Sequence, residues 1–105
     1  MKTVISASEN NVASAFDKRF GRAAWFCVVD EESGDVDFVE NTSKDANNGA
    51  GTKTAEKMAV LGVTKVISGH FGPKAKDMLD ELNVQMVVIQ EEGLSVQSII
   101  DRLKK

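Results

Sequence analysis

His70, the chain's one histidine, stands between two glycines in SGHFGPKAK (residues 68–76), a stretch that also holds the only proline, Pro73, and two lysines. An imidazole on such a turn can donate to an anion or ligate a metal. A proline there opens a helix, because its fixed φ suits the first helical position and its missing N–H is not needed. The unpaired N–H groups and partial positive charge of a helix start then favour a negative guest. A second glycine-rich stretch, NNGAG (47–51), also precedes a helical pattern, and KRFGR (18–22) sets three bases in five residues, among them two of the three arginines. Lys18, Arg19, Arg22, Lys53, Lys74 and Lys76 are therefore candidates to surround an anion, with His70 facing it as donor or metal ligand. Any one of these pieces alone is equally a plain turn, a helix cap or a solvated surface, so the functional reading depends on their meeting in space.

The elements that must bring them together follow from periodicity. TVISA (3–7) and AAWFCVVD (23–30) are runs rich in β-branched and aromatic residues, the second almost unbroken and so a central strand. EESGD is an acidic turn, followed by an alternating strand VDFVE (36–40), which predicts a hairpin. After a polar loop at 41–51, Ala55, Met58, Ala59 and Gly62 recur at helical spacing, with Gly62 placed to end the helix. The strand TKVISG (64–69) leads to a helix opened by Gly72 and Pro73 with Ala75, Met78, Leu79 and Leu82 on one face. The strand VQMVVI (84–89) and a last helix, capped by Ser95 and burying Val96, Ile99, Ile100 and Leu103, complete the chain.

This order predicts an α/β fold with a mixed five-stranded sheet in the order 3-2-1-4-5, the second strand antiparallel and helices on both faces. KRFGR, NNGAG, GHFGPK and EEGLS (91–95) then share the carboxyl edge of the parallel strands, where open α/β sheets bind ligands, and the acidic turn lies at the opposite edge.

Composition limits the alternatives. A length of 105 residues fits one domain spanning 1–105, and 42% hydrophobic with 28% charged residues is ordinary for a chain that folds. The single cysteine and the absence of a secretory leader in MKTVISASEN suggest a cytoplasmic protein. No apolar run is long enough for a bilayer, and a net charge of -3 argues against a nucleic-acid partner. Cys27, centred in the most apolar run, reads as a small buried hydrophobe; Met58, Met78 and Met86 read as core. There is no phosphate-binding loop ending in Lys-Ser or Lys-Thr, no GxGxxG, and no pair of cysteines spaced for zinc or an iron-sulfur cluster. The sheet order is that of ribonuclease H, yet the first strand lacks the carboxylate a two-metal nuclease needs. No nucleophile elbow exists for a serine triad built on His70. A binding protein, not an enzyme, is expected.

Over nearly its full length the chain resembles the dinitrogenase iron-molybdenum cofactor biosynthesis family, the small NifX-like domains also found at the C-terminus of NifB. The resemblance is carried by TVISAS, FDKRFGRAAWFCVVDEESGDVDFVEN and NNGAGTKTAEKMAVLGVTKVISGHFGPKAKDMLDELNVQMVV, most specifically by RFGRA (19–23), GAG (49–51) and GHFGPKA (69–75). It implies a ribonuclease H-like fold without nuclease residues, and non-covalent carriage of an anionic iron-sulfur or iron-molybdenum type cluster between cluster-assembly and acceptor proteins. Arg19, Phe20, Gly21, Arg22, Asn48, Gly49, Ala50, Gly51, Gly69, His70, Phe71, Gly72 and Pro73 would face the cluster, with His70 as a metal ligand. Many members carry a histidine just before GAG; Asn48 stands there in this chain and removes one potential ligand. Two other readings use the same residues differently: a binding module for a phosphorylated small molecule at the basic edge, and an interaction module docking through Asp35 and Asp37 of the acidic hairpin.

Overall fold

The computed structural model of the chain describes residues 1–44 and 49–104. Its strands are β1 (Lys2–Ala7), β2 (Trp25–Asp30), β3 (Val36–Glu40), β4 (Val63–Ser68) and β5 (Gln85–Val88); its helices are α1 (Ala50–Leu61), α2 (Pro73–Glu81) and α3 (Val96–Leu103). The sheet order is β3-β2-β1-β4-β5, with β1 antiparallel to β2, β2 antiparallel to β3, and β1, β4 and β5 mutually parallel, as the sequence predicts.

The central strands are apolar on both sides, which is why they read as unbroken hydrophobic runs. Val4, Phe26, Val28 and Val66 face α1 and α2, meeting Ala55, Met58, Ala75 and Leu79. Their alternating neighbours Ile5, Cys27, Val29 and Ile67 face α3, meeting Val96, Ile99 and Ile100. Met78 and Met86 pack at the margin of the first cluster. The fully buried Leu79 and Met58 fix α2 and α1 on the sheet, and truncating either to alanine would cost about 2–5 kcal/mol.

Helix ends follow local chemistry. Gly62 takes φ 73° and its N–H caps α1 through the Ala59 and Met58 carbonyls. Gly72 and Pro73 start α2, and the Ser95 hydroxyl caps α3 by accepting from the Ser98 N–H. Two details differ from expectation. α1 begins at Ala50, a turn before the apolar period, and Ala59 is exposed. Leu82 is 41% exposed because the chain leaves α2 at this residue and turns through Asn83 at φ 59°. Among the described residues no helix is long and apolar enough to cross a membrane.

Candidate functional site

The basic loop is built onto the end of β4. Phe16 pairs with Ala7, and the Asp17 N–H donates to the Ser6 carbonyl at 3.0 Å, bringing the chain back beside β1. The Gly69 N–H then donates to the Lys18 carbonyl at 3.2 Å and the Phe20 N–H to the His70 carbonyl at 3.3 Å, so Arg19 and His70 form a parallel bridge. Phe20–Arg22 wind into a single 3-10 turn. Phe20 is buried and anchors that turn, its ring 5.1 Å from Phe71 and 5.9 Å from Phe26. Asn41, almost fully buried after β3, donates through Nδ2 to the carbonyls of Gly21 (3.1 Å) and Ala23 (2.8 Å), holding the turn from beneath.

Three of the glycines mark close approaches between segments. A Cβ on Gly21 would lie 3.1 Å from the Gly51 backbone, one on Gly51 3.1 Å from the Ala75 Cβ, and one on Gly69 2.4 Å from the Lys18 Cβ. These three positions join the basic turn to α1, α1 to α2, and β4 to the basic loop. Gly49 precedes α1 at φ 75°, a left-handed conformation, and no side chain caps the helix there. Only Gly72 is both unstrained and open.

Arg19, Phe20, Gly21, Arg22, Gly49, Ala50, Gly51, His70 and Gly72 line one open hollow of about 320 Å³. Gly69 and Phe71 instead line an adjoining hollow of about 400 Å³ with His70, Lys76, Met86, Val88 and Gln90, so His70 borders both. Pro73 begins α2 directly after the Gly72 wall. Lys53 lies in a separate cleft beside β3 with Glu40 and Lys57. Asn48 lies outside the described residues.

The electrostatics are more balanced than the sequence suggests. Arg19 forms a two-pronged pair with Asp17, Nε to Oδ1 at 3.1 Å and Nη2 to Oδ2 at 2.9 Å. The hydrogen bond and the attraction of that carboxylate push the Arg19 pKa above its ordinary value, so the guanidinium is charged at any working pH. Lys18 pairs with Glu92, and Arg22 Nη1 donates to the Lys44 carbonyl at 2.7 Å. Burial pushes the Cys27 thiol up to about 12, and the residue packs on the α3 face of the sheet, so it is neither thiolate nor ligand here. Among the described residues no three His, Cys, Asp or Glu side chains gather to hold a metal ion. Among the described residues, the hollow thus gathers two arginines, the start of α1 and one histidine.

The EEGLS turn lies near the same edge but offers no such opening. Val96 N–H donates to the Ser14 carbonyl at 3.0 Å and Gln97 N–H to the Val12 carbonyl at 2.9 Å, so the start of α3 is closed by its own chain. Sequence reasoning missed Asp17 and Asn41. An acid two residues before Arg19 was a visible signal for the first, whereas the second belongs to no pattern.

Comparison with known proteins agrees with this architecture. The apo form of the orange protein (ORP) from Desulfovibrio gigas superposes with a TM-score of 0.90 at 31% identity, covering 98% of this chain and 86% of the other. A putative NifB protein from Thermotoga, solved by NMR, gives 0.81 at 33% identity with the same coverage of both chains. An uncharacterized protein of Methanocaldococcus jannaschii is 29% identical over 89 residues, 82% of this chain and 72% of that one. Residues 1–105 match the family described as dinitrogenase iron-molybdenum cofactor, and the chain belongs to that family.

Proposed function

We propose that this protein is a non-enzymatic cytoplasmic carrier whose residues 1–105 act as one unit to hold an anionic iron-sulfur or molybdenum-containing cluster, bound without thiolates in the hollow beside His70. The observation that carries the reading is the convergence of three distant stretches, 19–22, 49–51 and His70 with Gly72, around that hollow. Sulfide-bridged clusters carry net negative charge, which guanidinium groups and helix-start N–H groups stabilise by charge-assisted hydrogen bonds. Among the described residues lining the hollow, His70 has the one side chain able to bond a metal directly, with Gly69, Phe71 and Pro73 as its neighbours on the same turn. Family membership supports a role in iron-molybdenum cofactor assembly, with cluster-assembly or acceptor proteins as partners. The kinship with a protein described in an apo form and with a putative NifB protein points the same way.

Anaerobic reconstitution with iron and sulfide, or molybdate and sulfide, tests it. The expected result is visible charge-transfer absorption with metal and sulfide in a fixed ratio, lost when Arg19, Arg22 and His70 are replaced together. No uptake under either condition rejects the reading. A thermal shift with nucleotides or sugar phosphates but none with a cluster would favour a phosphate-binding module.

A further inference from the structure

We infer that Asp17 is an internal competitor for Arg19, a built-in carboxylate that occupies the guanidinium when the hollow is empty and is displaced when an anion enters, so that cargo is held reversibly. The inference rests on the anion-binding reading of the hollow. Arg19 lines that hollow and Asp17 does not, so a guest in the hollow and the carboxylate would compete for one guanidinium. The two partners differ in freedom. The Arg19 side chain is 69% exposed, whereas the Asp17 side chain is 9% exposed. Asp17 is also pinned at the head of the sheet: its N–H donates to the Ser6 carbonyl, and its own carbonyl accepts from the hydroxyl of fully buried Ser6, which contacts Ser68 Oγ at 2.8 Å. The arginine is thus the movable member.

Releasing it does not strand the carboxylate, because Asp17 Oδ1 also accepts from the Arg19 backbone N–H at 2.9 Å, a bond independent of the side chain. The fork engages two of the five guanidinium N–H donors and leaves three for a first contact with the guest, so exchange can proceed stepwise. Lys18 and Glu92 make a similar pair, but Glu92 is 86% exposed and its charge is spread into solvent, so it exerts little pull on the hollow.

The test measures cluster affinity of Asp17→Asn against the wild-type chain under anaerobic conditions, titrating with the cluster formed from the metal and sulfide. Asparagine keeps an oxygen for the Arg19 N–H and removes the competing charge. Binding tighter by roughly tenfold is expected, the effect of one unit charge within several ångströms at a wet surface. Asp17→Glu should return toward wild-type affinity, and Glu92→Gln should stay within about twofold of it. Unchanged or weaker binding by Asp17→Asn, with normal uptake by the wild-type chain, overturns the inference and leaves the carrier reading standing. Absence of uptake by the wild-type chain removes both. Should Asp17→Asn fold poorly, the Arg19 Nε–H resonance of the wild-type protein decides: it shifts on loading if the fork opens, and an unchanged resonance overturns the proposal.

Discussion

Two helices begin near the same end of this molecule and differ in how their first turns are finished. α3 starts at Ser95, whose hydroxyl accepts from the Ser98 N–H at 3.1 Å, and its next donors are taken by the Val12 and Ser14 carbonyls. α1 starts at Gly49, which has no side chain to offer and adopts φ 75°. Every helix start presents unpaired N–H groups. The chain closes the start of α3 with its own oxygens, whereas the start of α1 lines a hollow with Arg19, Arg22 and His70. A polar cap residue marks a finished helix, and in the proposed function the glycine start beside converging bases receives a guest.

The contrast breaks most severely at Gly69, which joins the basic loop to β4. Gly69→Ala would push a methyl into the Lys18 Cβ and Cα, at 2.4 and 2.9 Å, and should destabilise by about 1–3 kcal/mol while misplacing Arg19 and His70. A thermal melt and cluster uptake should fall together. Gly49→Ala meets only the Thr52 Oγ1 at 3.5 Å, so its cost is backbone strain of about 1–2 kcal/mol. Gly93→Ala, at φ 74° with nothing nearby, is the matched control before α3. The two should lose similar stability by denaturant unfolding, and only the Gly49 variant should lose uptake. Ser95→Ala removes the α3 cap, should cost about 1 kcal/mol, and should leave uptake unchanged.

The smallest effect belongs to the acidic turn at the far edge. The N–H groups of Glu32 and Ser33 hold the Asp30 carboxyl below its ordinary 3.8. A depressed carboxylate contributes stability above its unfolded value that is lost as pH falls through the folded one. Asp30→Asn should therefore lower the melting temperature slightly at pH 7 and flatten its decline below about pH 4, where variant and wild type converge.

The fold was legible because its signals are local. Apolar runs over TVISA and WFCVVD, alternation over VDFVE, glycine at 62, proline at 73 and serine at 95 each act within a few residues, and sheet order follows from crossover rules. The start of α1 was hidden because Gly49 and Gly51 read as loop, although Gly51 lies within α1 and lets it approach Ala75. At the site, the basic and glycine-rich segments could be gathered from topology, yet the charge balance could not. The Asp17 fork depends on rotamers, the Gly69–Lys18 contact on a long-range approach, and Asn41 on two carbonyls that become neighbours only after folding. Periodicity carries no record of such pairings.

The most direct test is amide NMR of the isotope-labelled chain before and after anaerobic loading with a metal-sulfide cluster. Shifts or broadening confined to 19–22, 49–52 and 69–72, with the amides of 95–98 unmoved, are expected. Changes centred on the start of α3 or on the acidic hairpin, with the three segments silent, would contradict an anion site at the open helix start.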